Sequence, residues 1–62
     1  MTAHIFTPVP SDLYRMPSVD AAAVLERLID EACQIRFWHK FLAPRCNRRI
    51  RYLERRRASF AN

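Results

Sequence analysis

The second half of the chain carries a dense run of arginines, with one tyrosine among them. A guanidinium group donates two parallel hydrogen bonds to a phosphate or carboxylate and also stacks on flat rings, so arginines repeated along a helix suit a polyanionic ligand. Tyr52 could stack on a nucleic-acid base at the same site. The alternative is a solvated helix face whose arginines pair with Glu26, Asp30 and Glu31. The predicted polyanion-binding residues are Arg45, Arg48, Arg49, Arg51, Arg55, Arg56 and Tyr52.

Within this run, residues 46–57 read CNRRIRYLERRR. In composition the stretch resembles the arginine-rich helices of small RNA-binding peptides and the basic regions of zipper proteins. The resemblance covers those residues alone. The Asn and Ala spacing of zipper basic regions is missing, and no heptads follow. It implies binding to nucleic acid but does not define a family.

Residues 36–41, RFWHKF, alternate aromatic rings with basic or ionisable groups. On a helical wheel Phe37 and Phe41 lie away from the main apolar side, and Trp38 points in a third direction. Because so short a chain needs its large rings in the core, we expect the N-terminal arm to cover Phe37 and Phe41. Exposure of both rings would instead favour a protein partner. The predicted interface residues here are Trp38, Arg36 and Lys40.

The thiol and imidazole groups that the chain could offer a zinc ion belong to His4, Cys33, His39 and Cys46. Their spacing matches no compact ligand pattern, so we predict no metal and no other cofactor. The two cysteines are interpreted as small hydrophobic side chains with reduced thiols. The carboxylates fall on a solvated face, and no histidine is convincingly placed beside a cysteine. The chain is therefore not expected to be an enzyme.

The spacing of the apolar residues predicts an all-α fold in a single domain. An extended arm, residues 1–17, holds three of the four prolines and enough apolar side chains to pack back on the helices. Helix 1 is predicted over residues 18–42 with Ser18 as its N-cap, and helix 2 over residues 44–58. Pro44 would break the chain into an αα-hairpin, and a single kinked helix is the alternative. The hairpin could also dimerise into a four-helix arrangement.

Length and charge restrict the class of protein further. A chain of 62 residues can bury only a small core, and the lack of glycine excludes Gly-rich phosphate loops. Residues 1–35 are net acidic, whereas residues 36–62 carry the excess behind the net charge of +5, which suggests a polyanionic partner. No secretory signal and no apolar run of membrane-spanning length is visible, so we expect a cytoplasmic, intracellular protein without a transmembrane segment.

The leading functional hypothesis is a small binding or regulatory protein whose arginine-rich helix engages nucleic acid with a steep salt dependence. Its close rival is a protein-interaction module, a compact regulator or inhibitor of a larger protein, of a size typical of phages and other mobile elements. The rival would use the arginine face together with Trp38 and Tyr52. A third hypothesis, a peripheral membrane-surface peptide, is opposed by the acidic polar face of helix 1.

Overall fold

A computed structural model describes residues 5–60 of the chain. Two α-helices, α1 (Ser18–Trp38) and α2 (Ala43–Ala58), pack against each other. Two short 3₁₀ turns, Leu13–Arg15 and Lys40–Leu42, precede them, one before each helix. The described residues contain no β-strand. The predicted all-α helical hairpin is therefore confirmed.

The start of α1 differs in detail from the prediction. Ser18 is the first helical residue, and Pro17, with an extended backbone (φ −54°, ψ 146°), occupies the N-cap position. The Pro17 carbonyl oxygen accepts hydrogen bonds from the amides of Asp20 and Ala21, both at 3.0 Å. The predicted capping role of Ser18 is wrong, since no side chain caps this helix start. The residue before a proline is disfavoured in the helical region, and Met16 is accordingly extended (φ −78°, ψ 152°), so the helix does not reach further back.

The end of α1 also differs, because the helix stops at Trp38 and not near residue 42. His39 leaves the helical region (φ −129°, ψ 76°) after its amide donates a last hydrogen bond to the Ile35 carbonyl at 2.8 Å. The 3₁₀ turn that follows leads directly into α2, which carries Pro44 in its first turn. At that position the missing N–H has no intrahelical partner to lose. Pro44 therefore starts a second helix rather than kinking a single one.

The core lies between the two helices and the arm. Its fully buried members include three leucines from different segments: Leu13 of the arm, Leu25 of α1 and Leu53 of α2. Each leucine contributes roughly 1.5–3 kcal/mol by leaving water. Toward the turn, buried Ala32 and Cys46 allow close approach of the helices. The remaining residues of the cluster are Ala21, Leu28, Val9, Met16, Val24, Ile29 and Phe60. The four buried positions of α1 all lie on its predicted apolar side, whereas Glu31 of the predicted polar side is half-buried.

Candidate functional site

The outer face of α2 is a stripe of exposed arginines. Cys46 and Leu53 are buried on the inner face. With about 100° between successive residues, Arg48, Arg51 and Arg55 project from the opposite side, and all three are exposed. We call these three residues the arginine stripe. Arg45, one turn before Arg48, is exposed as well.

No carboxylate of residues 5–60 forms an ion pair with the arginine stripe. Within residues 5–60 the ion pair present joins Arg57 to Glu26 of α1, with 3.9 Å between nitrogen and oxygen. Glu31 instead accepts hydrogen bonds from the amide and hydroxyl of Thr7, at 2.8 and 2.5 Å. Asp30 accepts one from Gln34 at 3.0 Å. The alternative that the arginines pair broadly with the acidic face of α1 therefore holds for Arg57 and Glu26 alone among the described residues.

Arg49 has a different role, because it ties the arm to α2. Its Nη2 donates a hydrogen bond of 2.7 Å to the carbonyl oxygen of Thr7. Its guanidinium carbon lies 5.5 Å from the centroid of the Phe6 ring and 5.9 Å from that of Tyr52. Both distances are within the range of a cation–π attraction, worth about 0.5–2 kcal/mol each. Arg49 is thus a structural contact as well as a predicted binding residue.

Arg56 repeats this arrangement about two helical turns further along α2. Its guanidinium carbon lies 5.0 Å from the ring centroid of Tyr14 and 5.5 Å from that of Tyr52, and its Nη1 donates to the Tyr52 hydroxyl at 3.2 Å. Tyr14 in turn contacts Phe60, with 5.8 Å between centroids. The Nε atoms of Arg49 and Arg56 are buried without a hydrogen-bond acceptor among residues 5–60. The Nε atoms lie beside the aromatic rings described above, and the cation–π attraction of those rings offsets part of the missing hydrogen bonds.

The turn between the helices presents an exposed aromatic patch, which we define as Phe37, Trp38 and Phe41. Their side chains are 70%, 73% and 79% exposed. Phe37 and Trp38 meet edge to face at 5.2 Å, and His39 meets Phe41 in the same way at 5.8 Å. The prediction that the arm buries Phe37 and Phe41 is wrong. The arm instead places Leu13 in the core and Phe6 on Arg49. Its Ile5 borders a cavity shared with Phe41 but leaves that ring largely exposed.

The two predicted basic interface residues flank this patch. Arg36, on the last turn of α1, donates a hydrogen bond of 2.7 Å from Nη1 to the side-chain oxygen of Asn47 on α2. This bond joins the two helices next to the turn. The side chain of Lys40 is exposed and makes no hydrogen bond or ion pair to another described residue. The patch is therefore apolar at its centre and basic at its edge, which is a common composition of protein interfaces.

The fluorescence of Trp38 can be used to measure whether the aromatic patch is exposed to solvent. At 73% exposure its fluorescence should show the red-shifted emission of a hydrated indole, and iodide should quench it almost as efficiently as free tryptophan. The nearby positive charge of Arg36 and Lys40 should attract the anionic quencher. The measurement is a Stern–Volmer titration at several protein concentrations. Quenching that weakens as concentration rises would show that copies of the chain associate through the patch.

Other kinds of site find no geometric basis among the described residues. Cys33 is half-buried and Cys46 buried, and both are free thiols. No three side chains of His, Cys, Asp or Glu within residues 5–60 come together as metal ligands. His4, the remaining residue considered for zinc, lies outside the described residues. No helix in that part of the chain has the length and apolar character needed to cross a bilayer.

Comparison of the chain with protein-family models, curated proteins and solved structures finds no match. The class of the molecule is therefore defined by its fold and surface. It is a two-helix α-hairpin with an arginine stripe on one helix and an aromatic patch at the turn. From the sequence, the arginines of the stripe and Trp38 were predicted as binding residues, whereas Phe37 and Phe41 were wrongly assigned to the core. The sequence reasoning also missed the contacts of Phe6, Thr7 and Tyr14 with α2, for which the only signal is the aromatic content of the arm.

Proposed function

We propose that this is a small non-enzymatic binding protein that engages nucleic acid through the outer face of α2. One observation carries the proposal. Arg48, Arg51 and Arg55 lie exposed on one face of a packed helix, and no carboxylate of residues 5–60 pairs with them. Exposed guanidinium groups that no carboxylate occupies can exchange their bound water for the oxygens of an external phosphate.

The dimensions of the arginine stripe suit a phosphate backbone. At 1.5 Å of rise per residue, Arg48 and Arg55 are separated by roughly 10 Å along the helix axis. Phosphates of one strand advance by about 3.4 Å along a duplex, so the stripe can reach about three of them. The net charge of +5 and isoelectric point near 10.3 would also steer the chain toward a polyanion.

Salt dependence tests this proposal. Three phosphate contacts should give a slope of about −2 to −3 in a plot of log affinity against log salt concentration. Fluorescence anisotropy with a labelled duplex and a labelled single strand measures that slope. Size exclusion before and after nuclease, with the absorbance ratio at nucleic-acid and protein wavelengths, reports whether the purified chain carries nucleic acid. The proposal fails if neither oligonucleotide is retained at low salt, or if binding does not respond to salt.

A second candidate function, docking on a larger protein, is favoured by the aromatic patch. Exposure of Phe37 and Phe41 is the observation that distinguishes this candidate, because phosphate binding does not need those rings. The partner would carry an apolar pocket rimmed by carboxylates, which complement Arg36 and Lys40. Trp38 would be its central anchor, since buried tryptophans dominate interface energies.

The two candidates separate in a pull-down from nuclease-treated lysate. Protein docking predicts one stoichiometric partner that survives nuclease. The triple substitution Phe37→Ser, Trp38→Ser and Phe41→Ser should lose that partner and keep salt-dependent nucleic-acid binding. All three residues are exposed in the free chain, so the variant should remain folded. Retention of the partner by this variant would remove the aromatic patch from the interface.

A further inference from the structure

A groove separates the arm from α2 beside the arginine stripe. Its volume is about 580 Å³, within the range of roughly 300–1,000 Å³ typical of small-ligand sites. One wall is formed by the arm over residues 5–9, and the other by the first turns of α2. The side chains that matter to a ligand are Phe6, Arg45, Arg48, Arg49 and Tyr52.

The chemistry of the groove is cationic and aromatic. No carboxylate lines it. Glu31 of α1 accepts hydrogen bonds from Thr7 of the arm. The side chains of Arg45 and Arg48 are exposed and form no hydrogen bond or ion pair with another residue in the described part of the chain. The groove therefore offers two free cations beside flat rings.

Contacts within the chain hold the side chains of the groove walls in place without a ligand. Arg49 is bonded to the Thr7 carbonyl and lies over the rings of Phe6 and Tyr52. The Tyr52 hydroxyl accepts a hydrogen bond from Arg56, which holds the ring from its other end. Tyr52 is nevertheless 41% exposed, so part of its ring remains open to a ligand. A site whose side chains are already ordered loses less entropy on binding.

We propose that this groove accepts one unpaired nucleotide, with its base against Tyr52 and Phe6 and its phosphates on Arg45 and Arg48. The inference rests on the proposed nucleic-acid function and gives it a substrate class, namely single-stranded nucleic acid. Stacking on an aromatic ring with a neighbouring cation is the usual basis of single-strand binding. The arginine stripe would then hold the phosphates of adjoining nucleotides.

Duplex nucleic acid does not fit this groove. The bases of a duplex are stacked on one another and present only their edges, so a ring inside a concave site cannot reach a base face. An acidic peptide could neutralise Arg45 and Arg48 but would leave the exposed ring of Tyr52 without a stacking partner. A nucleotide uses both features of the groove and is the ligand that the lining favours.

The test compares a short oligothymidine single strand with a blunt-ended duplex of equal phosphate number, using the full chain. The single strand should bind at least about tenfold more tightly. Tyr52→Leu should weaken single-strand binding about 5- to 100-fold and leave duplex binding within about twofold, because one base–aromatic stack is lost. Since Tyr52 also contacts Arg49 and Arg56, Arg45→Gln serves as a second variant on an exposed side chain. Arg27→Gln on α1 is its charge-matched control.

Several outcomes would overturn this inference. Equal binding of single strand and duplex, with no effect of Tyr52→Leu on either, would remove the nucleotide site and leave the arginine stripe in place. The nucleotide site would also be ruled out if Arg45→Gln weakened single-strand binding no more than Arg27→Gln does. Stronger competition by a polyglutamate of equal charge than by the oligonucleotide would assign the groove to an acidic peptide. Absence of binding to both oligonucleotides would overturn the proposed function itself.

Discussion

The double substitution Arg48→Gln and Arg55→Gln is expected to lower affinity for duplex DNA about 100-fold at about 50 mM salt. Each lost phosphate contact removes about 0.9 from the salt slope, which is roughly a tenfold loss of affinity at that salt concentration. The slope should therefore fall by about 2 units. Both side chains are exposed, and neither is bonded to another residue in the region the structure covers, so the fold should persist. Anisotropy titrations over a range of salt concentrations measure both quantities.

Its matched control is the double substitution Arg15→Gln and Arg27→Gln. These exposed arginines lie outside α2, in the 3₁₀ turn of the arm and on α1. Both variants remove two charges from the net +5, so a nonspecific effect of total charge would weaken binding equally. We expect the control to lose no more than about threefold, because its charges are not aligned with the stripe. Equal losses in the two variants would show that α2 has no special role.

Arg49 is not replaced together with Arg48 and Arg55, because it is both a predicted binding residue and a contact that holds the arm. On a helical wheel it belongs with the other arginines, and its replacement would be expected only to flatten the salt slope. In the structure it bonds Thr7 and lies over Phe6, so its loss would also release the arm. A weakened Arg49 variant would therefore not separate direct binding from folding.

The sequence was sufficient to predict the helices and the outer face of α2. Apolar spacing on α1 and the position of Pro44 depend on local geometry, which helical periodicity captures. Cys46 and Leu53 define the inner face of α2, and the exposure of Arg48, Arg51 and Arg55 follows from it. The end of α1 was missed because the departure at His39 precedes the proline that marked the break.

The arm could not be placed from the sequence, because its contacts join residues far apart in the chain. Leu13 and the rings at the turn both have the size and apolarity of core residues. Only the packed structure shows that Leu13 joins Leu25 and Leu53 in the buried cluster while Phe37 and Phe41 stay outside it. The position of Phe6 on Arg49 follows from that placement. The groove beside α2 depends on it and could not have been predicted.

The substitution Leu13→Ala should destabilise the whole chain by about 2–5 kcal/mol, the usual result of emptying a buried leucine site. Leu13 is 1% exposed and contacts the cluster that joins the arm to both helices. A core of this size rarely supplies more than about 3–5 kcal/mol of net stability. The variant should therefore be largely unfolded or melt at least about 10 °C lower, as followed by circular dichroism at the helical band.

The effect of Leu13→Ala on binding distinguishes the groove from the arginine stripe. Any Leu13→Ala molecules that remain helical would have a loosened arm, so Phe6 would no longer be held over Arg49. Preference for single strands should then fall, while the arginine stripe keeps its salt-dependent affinity for duplex. Val19→Ala, at a residue 75% exposed on α1, is the stability control and should change unfolding free energy by no more than about 0.5 kcal/mol. An unchanged melting temperature in Leu13→Ala would mean that the arm is not part of the core, and the groove would lose one of its walls.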